Sequence, residues 1–194
     1  GVSTGNLASH IYGLPDVGLV TLTEVAQNVR NITAAVAIPV VVDCDTGFGN
    51  AITVRRTVRE MIAAGAAGLF FEDQASPKRC GSIKGVRVLP LDEAVGKYRS
   101  AVDARNSIDP DFIIMARTDA RSAQGLDEAI RRAQAYEAAG VDVIHAESLQ
   151  SRDEIRALRQ AVSIPFTCTA NSLELGLDEM QELGICMTMG TMFF

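Results

Sequence analysis

Two stretches of this chain repeat one another. Ala63-Ala64-Gly65-Ala66-Ala67-Gly68-Leu69-Phe70-Phe71-Glu72-Asp73 is echoed by Ala138-Ala139-Gly140-Val141-Asp142-Val143-Ile144-His145-Ala146-Glu147-Ser148. Each reads as a helix end, a glycine cap, a short connection and a buried strand that finishes in Glu. A second pair behaves alike: Ala35-Val36-Ala37-Ile38-Pro39 and Ala161-Val162-Ser163-Ile164-Pro165 both lead into apolar runs. Helix-to-strand joints that recur in this way are the product of repeated βα units.

The rest of the chain fits that frame. Strands are predicted at Val17–Leu22, Val40–Asp43, Leu69–Glu72, Phe112–Arg117, Val143–Ala146, Phe166–Thr169 and Ile185–Thr188. Amphipathic helices are predicted over Ala51–Ala64, Leu91–Asp103 and Leu126–Ala139, with an earlier one capped by Thr23 and carrying Val25, Ala26, Val29 and Ile32 at helical spacing. Continuous apolar strands alternating with such helices mean a parallel sheet covered on both faces. Polar residues gather at the strand C-termini: Asp43 and Asp45, Glu72, Arg117, Glu147 and Asn171. In a (β/α)8 barrel those ends converge on one mouth. An open doubly wound sheet would need polar ends only at its switch point. The predicted fold is therefore an α/β (β/α)8 TIM barrel, one domain over residues 1–194. Its missing strand is expected before Gly1 and further helices after Phe194.

Composition narrows the function. A formal net charge of −6 argues against a nucleic-acid partner. No apolar run has membrane-spanning length, and no basic-then-apolar leader opens the chain. The four cysteines (44, 80, 168 and 186) lack metal-ligand spacing and read as reduced thiols of an intracellular protein. The expected location is cytoplasmic, with the mitochondrion or another organelle as alternatives.

The stretch Val40-Val41-Val42-Asp43-Cys44-Asp45-Thr46-Gly47-Phe48-Gly49-Asn50 holds the strongest chemical signal. Asp43 and Asp45 lie two residues apart, so an extended chain puts both on one side. Paired acids at the end of a buried strand need compensation. A hard divalent cation such as magnesium would supply it, with manganese as the chemical alternative. Capping of the next helix, or pairing with arginines, would also account for them. Cys44 should face away and pack, and Cys168 and Cys186 read as core.

Three other groups carry possible chemistry. Gly1–Ser9 is a small-residue loop able to offer backbone N–H groups to an anion, though from these residues alone a plain turn is the favoured reading. The loop after Glu72 brings Lys78, Arg79 and Cys80 together. Cationic neighbours favour a thiolate, and such a thiol can pass a proton to a carbanion. A solvated loop with an incidental cysteine fits the same residues. Arg117, after Ile113-Ile114-Met115-Ala116, is placed to hold a carboxylate bidentately, or to make a structural ion pair with Asp119 or Glu147. His10 and His145 receive no role.

Taken in order, Asp43-Cys44-Asp45-Thr46-Gly47-Phe48-Gly49-Asn50, Phe71-Glu72-Asp73-Gln74, Pro77-Lys78-Arg79-Cys80-Gly81 and Ala116-Arg117-Thr118-Asp119-Ala120 resemble the isocitrate lyase / phosphoenolpyruvate mutase superfamily. The likeness runs from Ser3 to about Gly184. The Lys-Arg-Cys-Gly loop is similar to that of the lyase branch, of 2-methylisocitrate lyase and 2,3-dimethylmalate lyase type. The resemblance implies a magnesium-dependent barrel that cleaves a 2-hydroxy di- or tricarboxylate into a 2-oxo acid and a second acid. By motif position, Asp43 and Asp45 would hold the metal, with Asp16 and Glu72 completing the polar shell. Ser3, Thr4 and Gly5 would hold the oxo-acid carboxylate, and Arg117, Glu147 and Asn171 would bind substrate carboxylates. Lys78 and Cys80 would lie on a gating loop, with Cys80 as proton donor. A homo-oligomer, dimer or tetramer, is implied as well.

The chain departs from the branch in four places. Ser82 stands where the lyases carry His, and Val86 where a Lys is common. The segment from Asn171 to Leu177 lacks the usual Glu-Gly-Gly run, and Met187–Phe194 stops short of the family's last helices. An oxaloacetate hydrolase or decarboxylase is the main alternative. A phosphonopyruvate-type P–C enzyme and a non-catalytic 2-oxo acid binding protein follow.

Overall fold

The computed structural model describes residues 1–81, 83–169 and 173–187. Five strands form one parallel sheet: β1 (Val41–Asp43), β2 (Gly68–Glu72), β3 (Ile113–Thr118), β4 (Val143–Ala146) and β5 (Phe166–Cys168). Their spatial order is their sequence order, with no crossover. That is the winding of a barrel wall, in which each βα unit adds the next strand on the same side. The sheet does not close among the described residues. It is extended at one edge by Val2, bridged to Val42, and at the other by Ile185, bridged to Phe166.

The helices are α1 (Thr4–Asn6), which continues as a π-helical turn over Leu7–Ile11, then α2 (Leu22–Ala35), α3 (Ala51–Ala63) and α4 (Leu91–Ile108). After them come α5 (Ala120–Gln124), α6 (Leu126–Ala138), α7 (Arg152–Ala161) and α8 (Leu177–Glu182). No helix of the described residues is long and apolar enough to cross a membrane. The repeated joints fold alike. Gly65 and Gly140, at φ +82° and +90°, end the turns after α3 and α6. Val36 and Val162 leave α2 and α7 with nearly the same dihedrals, φ/ψ −129°/151° and −126°/151°.

Four expectations are corrected. Val17–Leu22 is not a strand. Gly18 turns at φ +77°, and Thr21, not Thr23, caps α2 through a reciprocal pair with Glu24. That capping box commits Leu22 to helix. The expected last strand reduces to the bridge at Ile185, its end at Thr188 lying outside the described residues. Cys186 is exposed and Cys168 half-buried, whereas Cys44 packs fully into the core as expected.

Side chains of β2 alternate between two buried faces. Phe71 points to the helices and stacks on Tyr98 of α4, which meets Tyr136 of α6, with centroids 4.4 Å apart in both pairs. Glu72 points the other way, in register with Arg117 of β3. Arg117 is in turn level with His145 of β4, and His145 with Thr167 of β5. A polar rung therefore crosses the inner face at the strand C-termini.

Asp73 ties this sheet to α6 on the outer side. Its Oδ2 accepts from Tyr136 OH (2.7 Å), Thr118 Oγ1 (2.8 Å) and Arg132 Nη1 (3.2 Å), and its Oδ1 from the Asp119 N–H (3.0 Å). Removing it takes a buried acceptor from two hydroxyls and from Arg132, which keeps Glu128 and Leu89 O. Asp73→Ala is expected to lower stability by about 3–5 kcal/mol, read as a fall in denaturant midpoint at unchanged slope. A loss below about 1 kcal/mol would contradict this hub.

Candidate active site

Most of the expected site residues meet at the C-terminal ends of β1 to β4. Asp43 ends β1, and Asp45 follows in a left-handed conformation (φ +48°). The turn aims both carboxylates at one point. Thr4 Oγ1 lies 2.9 Å from Asp43 Oδ2 and 2.7 Å from Asp45 Oδ1. A hydroxyl has one proton to give, so it cannot satisfy both acids. Neither aspartate is paired with an arginine among the described residues.

The cation that meets them is Lys78. Its Nζ is 2.6 Å from Asp45 Oδ1, 2.7 Å from Asp16 Oδ1 and 3.8 Å from Glu72 Oε1. Burial alone would depress this ammonium; Glu72, Asp45 and Asp43 outweigh burial and hold it above the ordinary lysine range. The Glu72 carboxyl is pushed up to about 8, first by burial, with Asp119 and Asp43 adding and Arg117 and Lys78 opposing. Asp45 is raised by burial and by Asp43. Glu72 Oε1 is buried with no hydrogen-bond partner among the described residues.

Arg117 stands beside Glu72, its Nε 3.5 Å from Oε2. Its fork is engaged by Asp119, through Nε–Oδ2 at 3.1 Å and Nη2–Oδ1 at 2.9 Å. Nη2 also lies 3.4 Å from Glu147 Oε2. The arginine therefore keeps the structural partners that the sequence left open, while sitting at the mouth where a carboxylate would arrive.

The loop bearing Lys78 and Cys80 is docked on this group. Gln74, buried, clamps Arg79 with both ends of its amide: Nε2 to Arg79 O and Arg79 N to Oε1, each 2.9 Å. Gly81 lies so close to Arg117 that an added Cβ would fall 2.5 Å from Nη2. Cys80, half-buried, is held between these two fixed points. Val86 is buried, and Ser82 and Asn171 lie outside the described residues.

The N-terminal residues take a supporting position. Ser3 caps α1, and the Thr4 N–H donates to Asp43 Oδ2 (3.3 Å). A side chain at Gly5 would come within 3.0 Å of the Asp16 carboxylate. Of the three, the Thr4 N–H is thus engaged with an acid.

Several residues here had no obvious signal in sequence. Lys97, on α4, donates from its buried ammonium to Thr46 O, and Thr57, on α3, donates to Gly47 O (3.0 Å). Together they staple the turn that carries Asp45. Helix periodicity marks both only as buried-face positions. Asp73, Gln74 and Asp119 stood inside quoted motifs, yet only the fold reveals what they hold.

The residues present fit a divalent cation by donor chemistry. Asp43, Asp45, Glu72 and Thr4 supply oxygen alone, an ammonium already occupies their centre, and one carboxylate oxygen is unsatisfied. Among the described residues no three His, Cys, Asp or Glu side chains converge into a complete cage. Magnesium rarely needs one; it takes one or two carboxylates and fills the rest with water and substrate.

Comparison with known proteins follows the same lines. The family described as Phosphoenolpyruvate phosphomutase matches residues 2–191. Relatives include a 2,3-dimethylmalate lyase of Eubacterium barkeri, 47% identical over 89% of this chain and 58% of the relative. A 2-methylisocitrate lyase of Escherichia coli (strain K12) is 43% identical over 97% and 64%. An oxaloacetate decarboxylase of Rhodopseudomonas palustris is 45% identical over 91% and 60%. The chain thus spans about three-fifths of the length of these relatives. Among solved structures, an oxaloacetate acetylhydrolase with the inhibitor 3,3-difluorooxalacetate superposes with TM-score 0.88 at 31% identity, over 93% of this chain and 63% of that one. A phosphonopyruvate hydrolase in complex with oxalate and Mg²⁺ gives 0.81 at 32%, over 95% and 66%.

Glu72 makes stability depend on pH in a definite direction. Its folded pKa, about 8, lies above the ordinary glutamate value of 4.5, so between those values the folded state holds a proton that the unfolded state has lost. Wild-type stability should fall as pH rises through that window, and Glu72→Gln should remove this contribution. Denaturant titrations of chelator-treated protein measure it. Parallel pH curves for wild type and Glu72→Gln would contradict the assignment.

Proposed function

Because this chain belongs to the phosphoenolpyruvate phosphomutase family, we propose that it is a carbon–carbon lyase acting on a small 2-hydroxy di- or tricarboxylate. The expected products are a 2-oxo acid and a second carboxylic acid. The observation that carries this reading is the convergence of Asp43, Asp45, Glu72, Lys78 and Arg117 at the strand ends, with Gly81, next to Cys80, seated on Arg117. Relatives named 2,3-dimethylmalate lyase and 2-methylisocitrate lyase support it.

Asp43 and Asp45 would hold a divalent cation, magnesium or manganese, with Glu72 and Asp16 behind them. When bound, such an ion supplies Lewis acidity toward the oxygens of the 2-oxo acid end. The chain's own groups do the rest. Arg117 orients the substrate carboxylate, and Glu147 borders the second carboxylate, which Asn171 would also bind by its place in the motif order. Ser3, Thr4 and Gly5 line the oxo-acid end. The ionised form of Glu72, a stronger base than an ordinary carboxylate because burial raises its pKa, accepts the hydroxyl proton as the C–C bond breaks. The electron pair of that bond is left on the departing carbon, and Cys80 Sγ–H protonates it, leaving a thiolate beside Lys78 and Arg79. The docked loop excludes water from that carbanion.

Loss of carbon dioxide from oxaloacetate is the second reading, favoured by the oxaloacetate decarboxylase relative at 45% identity. It uses the same groups, because an enolate must again be stabilised and protonated. The homo-oligomer implied by the family resemblance remains part of the proposal.

Assay of the protein with 2-methylisocitrate, 2,3-dimethylmalate and oxaloacetate, with and without Mg²⁺, separates the readings. Lyase turnover is expected on one of the first two and only with the metal. Cys80→Ser should lower turnover at least about 100-fold, the scale of a lost proton donor, with oxalate binding nearly unchanged. Undiminished turnover in that variant removes Cys80 from the mechanism.

A further inference from the structure

His145 is fully buried on β4, at the level of Arg117 on one side and Thr167 on the other. The mechanism above leaves it unused, and an apolar strand would be better packed by an apolar ring. Burying a polar group without a partner is costly. Its Nδ1 is such a group, buried with no hydrogen-bond partner among the described residues.

The other nitrogen explains the choice of residue. Nε2 lies 3.3 Å from Glu147 Oε2 and 3.2 Å from Thr169 Oγ1. A carboxylate can only accept, so the contact with Glu147 requires a proton on Nε2. Neutral histidine carries one proton, which leaves Nδ1 a bare lone pair. That tautomer is also the less costly one here: a proton on Nδ1 would be a buried donor without acceptor. The Phe70 ring, 6.4 Å away centroid to centroid, flanks the imidazole.

Glu147 Oε2 is the same atom that faces Arg117 Nη2 at 3.4 Å. One oxygen is thus held from below by the imidazole and meets the guanidinium from the side. The remaining charged groups around it are Asp119 and Glu72, both directed at Arg117. Burial would raise the Glu147 carboxyl, but the His145 hydrogen bond and Arg117 together hold it below its usual value.

We propose that His145 is a positioning residue of the substrate-carboxylate subsite: its Nε2–H fixes Glu147 Oε2, and Glu147 in turn sets the angle at which Arg117 meets an incoming carboxylate. This rests on the reading of Arg117 as a carboxylate-binding group. Thr169 also hydrogen-bonds Glu147; without the imidazole donor, Glu147 is left to Thr169 and can swing on that contact, drawing Nη2 with it.

The test uses the full chain and oxalate as probe, by calorimetry with Mg²⁺ present. His145→Phe keeps a ring but removes the donor, and should weaken oxalate binding about tenfold, the lower scale for loss of such an outer partner. His145→Gln loses the ring but keeps an N–H at the same reach, and should bind close to wild type. Equal affinity in His145→Phe overturns the proposal. So does a His145→Gln variant as weak as His145→Phe, which would make ring volume the cause. Long-range ¹H–¹⁵N spectra of histidine-labelled wild type supply a reading that needs neither variant nor ligand. A neutral Nε2–H imidazole supports the inference, and an Nδ1–H tautomer or an imidazolium overturns it. Failure of wild type to bind oxalate, with the Nε2–H signal present, would fault the carboxylate-binding reading of Arg117 and leave the His145–Glu147 contact standing.

Discussion

Too much negative charge is gathered at one place in this molecule, and much of the architecture manages it. Asp16, Asp43, Asp45 and Glu72 surround one ammonium, and Asp119 and Glu147 share one guanidinium with Glu72. Buried carboxylates repel, so each must be compensated or kept protonated. Glu72 takes the second course, with its pKa near 8. Lys78 supplies the first course for Asp45, and in doing so pulls its loop down onto the strand ends. A site with this excess suits chemistry in which positive charge arrives from outside.

The surroundings hold that arrangement against its own repulsion. The turn after β1 places Asp45 and Phe48 at positive φ, a conformation that costs free energy for any residue but glycine. Lys97 and Thr57 stitch that turn to α4 and α3. On the far side of the sheet, Asp73 collects Tyr136, Thr118 and Arg132 and offers its other oxygen to the Asp119 N–H. Asp119 then receives the Arg117 fork. The helix layer thereby reaches the mouth in two steps, through Asp73 and Asp119.

The βα frame was legible because its joints are punctuated. Gly65 and Gly140 mark helix ends, and the Ile-Pro pairs at 38–39 and 164–165 mark strand starts, whatever surrounds them. The acids at 43, 45 and 72 were legible for the same reason: charge at the end of an apolar run stands out. Val17–Leu22 misled because composition reads a short apolar run without seeing the capping pair Thr21–Glu24. The short α5 and the more polar α7 did not stand out in the apolar pattern. Contacts over distance were not legible at all. Nothing near His145 in sequence shows that it would lie level with Arg117 on the neighbouring strand, and nothing near Lys97 points to Thr46.

Titration of Mg²⁺ into the metal-free protein by calorimetry tests the central claim most directly, because it reads the charge cluster without assuming a substrate. The account predicts one binding site, with its heat lost in Asp45→Asn and in Asp43→Asn. Binding of unchanged heat and affinity in both variants would contradict it.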